Sequence, residues 1–106
     1  MTDEPHKIDL TPIGLPGEWV AVRPQRTAGM KWQVLDAIKD GNDAYYSRMA
    51  ELYVTGWSPG VSAAPFSLGA FRNLNEHVAT YVLEMASEHY QSQRRTPAEG
   101  EASSSG

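Results

Sequence analysis

Cysteine is absent from the 106 residues, which removes disulfides, thiolate metal sites and cysteine nucleophiles together and fits a reducing cytosol. No apolar run approaches the ~18 residues that would cross a bilayer. Residues 1–10 contain no basic segment followed by an apolar one, so no secretory signal is expected there. Glycines are scattered singly, leaving no phosphate-cradling loop. Neither Gly-x-Ser-x-Gly nor His-Glu-x-x-His occurs. The length admits one small core and excludes a two-domain enzyme with a cleft between its halves.

Net charge is also scarce where it would matter. The formal charge is −4, but Asp3, Glu4, Glu99 and Glu101 all lie in the ends, 1–6 and 96–106, which hold no Lys or Arg. Between those ends nine acids face nine bases. A formally neutral body argues against nucleic acid as the main partner, because backbone binding needs clustered Lys and Arg. Arg23/Arg26 and Arg94/Arg95 are two isolated pairs, read as loop and helix-end charges.

What is present divides into three parts. Residues 1–6 are polar, carry Pro5 and are expected to be a loose end. Residues 96–106 contain no large apolar side chain and are expected to be a disordered acidic, Ser/Gly-rich tail. Residues 7–95 form the folded domain, expected to be mainly α with three to four helices and a short N-terminal β hairpin or strand pair.

Ile8 and Leu10 alternate with polar residues, and Trp19-Val-Ala-Val22 is the strongest strand signal, with a Pro16-Gly17 turn between them. Thr27 caps a predicted helix over 28–39 whose apolar stripe is Met30, Val34, Leu35 and Ile38, leaving Trp32 off the stripe. Gly41 ends that helix, and Asn42 or Asp43 caps the next, over 43–55, with Tyr45, Met49, Leu52 and Tyr53 inward. Gly56-Trp57-Ser58-Pro59-Gly60 then stops it. Ser67 caps a short turn carrying Leu68 and Phe71, and Asn73 with Glu76 has capping-pair spacing before a long helix over 74–92. Its stripe is Leu74, Val78, Val82 and Met85.

Chemistry is thin. His77, Glu84 and Glu88 share one face of the last helix, but a second helix supplies no Glu-x-x-His, so the pattern reads as a solvated polar face. Ser58 has no His or acid partner nearby in the chain. No enzyme, metal or cofactor is therefore expected. The aromatics carry more information. Trp19 and Trp57 read as staples of strand and loop onto a thin core, whereas Trp32 is placed for a partner, as are Tyr46, Tyr53, Trp57 and Tyr90 where they reach the surface.

The order of these pieces resembles a known family. It runs from Leu15-Pro-Gly-Glu-Trp-Val-Ala-Val-Arg-Pro24, through Met49-Ala-Glu-Leu-Tyr-Val-Thr-Gly-Trp-Ser58 and Phe66-Ser-Leu-Gly-Ala-Phe71, to Leu74-Asn-Glu-His-Val-Ala-Thr-Tyr-Val-Leu-Glu-Met85. Over about 15–90 this looks like the small tail assembly chaperones of long-tailed, non-contractile bacteriophages of actinobacterial hosts. The pattern departs from that family after Leu68, where Leu-Pro is expected, and at Asn75 or His77, where an acid is expected. The resemblance implies a non-enzymatic protein of the host cytoplasm that binds the tape-measure protein, assists tail-tube assembly and is missing from the finished virion. It implies further partners in the major tail protein and in a frameshifted longer form of the chain, with homo-oligomers possible and neither nucleic acid nor membrane involved. The alternative expectation is a structural virion protein, such as a head–tail connector or minor tail component.

Overall fold

Alternation starts the fold. In His6–Asp9 (β1), Ile8 is buried between exposed Lys7 and Asp9, and Leu10 follows it into the core. The structure, a computed structural model, describes residues 4–94; the expected tail at 96–106, residues 1–3 and Arg95 lie outside the described residues. Trp19–Val22 (β2) returns antiparallel, with Ile8 opposite Val20 and Asp9 opposite Trp19. The turn between them needs Gly17 at φ +79°, and the Glu18 N–H donates to the Leu15 carbonyl at 3.1 Å, a type II turn with Pro16 ahead of the glycine. The Thr11 N–H and hydroxyl both donate to Asp9 and hold its carboxyl below the usual carboxylate range.

A third strand corrects the sequence reading. Val54–Trp57 (β3) pairs with the other edge of β2, giving an antiparallel sheet in the order β1-β2-β3. The expected helix over 43–55 stops at Tyr53 instead. Val54 and Thr55 are β-branched and reach the open edge of β2, where ladder hydrogen bonds outweigh continued helical periodicity.

Four helices complete the described residues: Ala28–Ala37 (α1), Asn42–Tyr53 (α2), Leu68–Arg72 (α3) and Glu76–Arg94 (α4). Thr27 and Ser67 cap α1 and α3 through their hydroxyls, which accept from the Met30 and Ala70 N–H groups. Two predicted caps differ. No side chain caps α2, which starts straight from Gly41 at φ +104°. At α4 the cap is Asn75, whose Oδ1 accepts from the His77 N–H at 3.1 Å, while Asn73 closes α3.

Two helix faces also differ from their predicted stripes. In α1 the buried residues are Val34 and Ala37, while Leu35 and Ile38 stand about half exposed. α1 packs chiefly on α2, and its end tightens into a 3-10 turn over Ile38–Asp40, so only a narrow strip is covered. In α4 the buried set is Val78, Val82, Leu83, Ala86 and Tyr90, because the helix meets the sheet on one side and α2 on the other.

The core closes on two tyrosines. Tyr53 and Tyr90 meet edge to face at 4.9 Å, and both are buried. The Tyr90 hydroxyl donates to the Arg23 carbonyl at 2.8 Å, and burial raises its phenol well above the ordinary tyrosine value. Nε2 of His89 and the Gln93 amide both donate to the Pro24 carbonyl, at 2.9 and 2.7 Å. Thus α4 grips the chain where it leaves β2.

At the opposite end, buried Ser58 ties β3 to β2. Its hydroxyl donates to Glu18 Oε1 at 2.6 Å and accepts from the Trp19 N–H at 2.9 Å. The Gly60 N–H donates to the same carboxylate, and a Cβ at Gly60 would fall on it. Glu18 is thus the acid neighbour that chain proximity did not reveal, and its work is structural. Ser58→Ala leaves the Trp19 N–H and the carboxylate short of a partner and should cost about 1–3 kcal/mol. Gly60→Ala should add little in the Ser58→Ala background, because the two share one network. Urea unfolding checks this: a lower midpoint at unchanged slope is expected, and additive losses would contradict it.

Candidate functional site

α4 has a second face. Glu76, Ala79, Thr80, Leu83, Glu84, Ser87 and Glu88 recur every three to four residues, a spacing that puts them on one side of the helix. With α2 and α3 that side frames a groove of about 820 Å³. Met49, Phe71 and Leu83 are its buried floor. Exposed Tyr46 stands at its α2 wall.

The rim is acidic. Asp43, Glu76, Glu84 and Glu88 line the groove, and the one basic side chain among the lining residues is Arg72. Arg72 is already committed to Asp43 at 2.8 Å and Ser47 at 2.7 Å, which joins α3 to α2 at one end. None of the ion pairs Lys39–Asp36, Arg48–Glu51 and Arg72–Asp43 engages Glu76, Glu84 or Glu88, which contribute uncompensated charge to the rim.

A second surface lies on α1. Trp32 and Leu35 of α1, and Ile38 in the 3-10 turn that ends it, are 66%, 49% and 52% exposed and follow one another at three-residue steps, forming an apolar ridge. Leu35 and Ile38 escaped the sequence reading as surface residues because their spacing fits the core stripe equally well.

The five aromatics expected to meet a partner therefore separate. Trp32 and Tyr46 are exposed, on the ridge and at the groove respectively. Tyr53 and Tyr90 are corrected to core residues: both are buried, their rings meet edge to face, and both hydroxyls are hydrogen-bonded. Trp57 is half-buried, edge-on to Phe66 at 5.3 Å, and its Nε1–H donates to the Ala64 carbonyl at 2.8 Å, so it closes the loop after β3.

The histidines are structural too. His6, expected in a loose end, begins β1 and stacks on His89 at 3.8 Å with the rings 5° from parallel. Nδ1 of His77 donates to Asn75 Oδ1 at 2.6 Å, and His77 does not line the groove that Glu84 and Glu88 face. Among the described residues no three His, Asp or Glu side chains gather closely enough to hold a metal ion. No protein-family model matches the chain, and neither curated proteins nor solved structures yield a match to it.

Burial, and then the charge of His89, lower the His6 pKa below its ordinary 6.5. The unfolded chain therefore binds this proton more readily, so the contribution of the neutral His6 ring is full above about 6.5 and is lost as pH falls through the folded value. The melting temperature should decline between pH 7.5 and pH 5.5, and His6→Phe, which keeps a ring over His89, should flatten that decline. Equal slopes for the two proteins would contradict the stack's role.

Proposed function

We propose that the chain is a non-enzymatic tail assembly chaperone of a long-tailed, non-contractile bacteriophage, acting in the host cytoplasm by holding the tape-measure protein during tail-tube assembly. The observation that carries this reading is the uncovered ridge of Trp32, Leu35 and Ile38 along α1 and the 3-10 turn that ends it. A large aromatic and two aliphatic side chains facing water at regular steps are costly to leave exposed and serve contact with another chain. Thr27 fixes the start of α1, so the ridge is presented without further ordering cost. The order of segments over 15–90 supports the family reading, and many copies along one long helical client would gain avidity from a weak single contact. Client helices, the major tail protein and a longer frameshifted form are the partners that follow from it.

Trp32→Ala separates contact from folding. The side chain is two-thirds exposed, so stability should stay within about 0.5 kcal/mol of the parent. Co-expression should show that the parent keeps the tape-measure protein in the soluble fraction and that Trp32→Ala does so several-fold less well. No gain in that protein's solubility with the parent chain would overturn the proposal, as would finding the chain in purified particles by mass spectrometry.

A further inference from the structure

We infer that the groove between α2 and α4 takes one amphipathic α-helix whose apolar stripe is bordered by Lys or Arg. This deepens the proposed function by naming the chemistry of the helix that is held, and it rests on that reading only for the helix's source.

Shape sets the class of occupant. The lining residues of α4 run from Glu76 to Glu88, which at 1.5 Å per residue is about 18 Å, the length of roughly three helical turns. Met49, Phe71 and Leu83 offer an apolar floor that Leu74 and Ala79 extend, and Asp43, Glu76, Thr80, Glu84 and Glu88 supply polar groups along its edges. A helix laid in such a channel buries one stripe and leaves its flanks beside the rim.

Charge sets the flanks. Arg72 answers Asp43, and Glu76, Glu84 and Glu88 remain along the α4 wall, two of them one turn apart. Cations on the incoming helix would meet these carboxylates, and an acidic flank would be repelled. Two occupants from this chain fit less well. Residues 96–106 bring Glu99 and Glu101 and no large apolar side chain. The α1 ridge of a second copy carries Lys31 and Lys39 against Asp36 and Asp40, with Lys39 already bound to Asp36 at 3.0 Å, so it offers no net positive charge.

Two fluorescein-labelled 18-residue helical peptides test this, sharing one Leu/Ala stripe and bearing either Lys or Glu on both flanks. By fluorescence anisotropy at 50 mM salt, the Lys peptide should bind the full chain at least tenfold more tightly than the Glu peptide, with the gap narrowing at 0.5 M salt. Glu84→Lys with Glu88→Lys should weaken the Lys peptide at least tenfold. Asp36→Lys with Asp40→Lys, the same change of charge placed on α1, should leave it within about twofold. Circular dichroism confirms folding, and Thr80→Arg at the rim serves as a second variant should the double substitution unfold. Equal binding of the two peptides, or equal loss from the groove and α1 variants, overturns the inference. So does concentration-dependent dimerisation that the Glu84/Glu88 variant abolishes, which would assign the groove to a second copy. The two readings fail separately. If the Glu84/Glu88 variant still keeps the tape-measure protein soluble, the groove inference falls and the chaperone proposal stands. If the groove takes the Lys peptide but the parent chain does not hold the tape-measure protein, the reverse is true.

Discussion

Every layer of this protein hangs on β2. Four residues, Trp19–Val22, pair with β1 on one edge and β3 on the other, and Val20, Ala21 and Val22 are all buried. A two-stranded ribbon of this length is marginal in water, so the third strand is what makes the sheet a platform. Both ends of β2 are then fastened by contacts distant in sequence. Glu18 and the Trp19 backbone are bound by Ser58, and the Arg23 and Pro24 carbonyls accept from Tyr90, His89 and Gln93. Without that central strand neither β3 nor the last turns of α4 has a place to dock.

A domain this small has little core to spend, and its distribution explains what is left outside. α4 uses Val78, Val82, Ala86 and Tyr90 in the core, while α2 contributes Met49, Ala50 and Tyr53. α2, α3 and α4 leave between them a channel floored by the core residues Met49, Phe71 and Leu83. α1 is the outlying element, and it and the 3-10 turn after it leave Trp32, Leu35 and Ile38 in water. Two apolar surfaces of different character result. The ridge lies among balanced charges, whereas the channel is bordered by carboxylates, so a partner using both must match shape at one and charge at the other.

Local signals in the sequence were legible where the chemistry is local. The Thr27 and Ser67 caps, the Pro16-Gly17 turn, β1, β2 and the four helices follow from residues within one turn of each other. What stayed hidden depends on partners far along the chain. β3 exists because β2 has an open edge, and Val54-Thr55 read equally well as the end of a helix. Periodicity does not tell how much of the Met30, Val34, Leu35 and Ile38 stripe is covered, and of these Leu35 and Ile38 stay about half exposed, as Trp32 off the stripe does more fully. Tyr53 and Tyr90 are large, polar-tipped and compatible with either surface or core, and only the arrival of Arg26 and the Arg23 carbonyl at their hydroxyls settles them inside. The groove is not legible in the sequence: His77, Glu84 and Glu88 read as one solvated polar face, and the floor beside the two glutamates comes in part from Met49 and Phe71 on other helices.

Backbone hydrogen exchange with and without a fragment of the tape-measure protein tests most directly whether the ridge and the groove are the contact surfaces. If they are, bound client slows exchange over 28–40 and 76–88 while the sheet residues 6–9, 19–22 and 54–57 keep their own rates. Protection confined to the sheet, or unchanged exchange along both helices with the client bound, would contradict it.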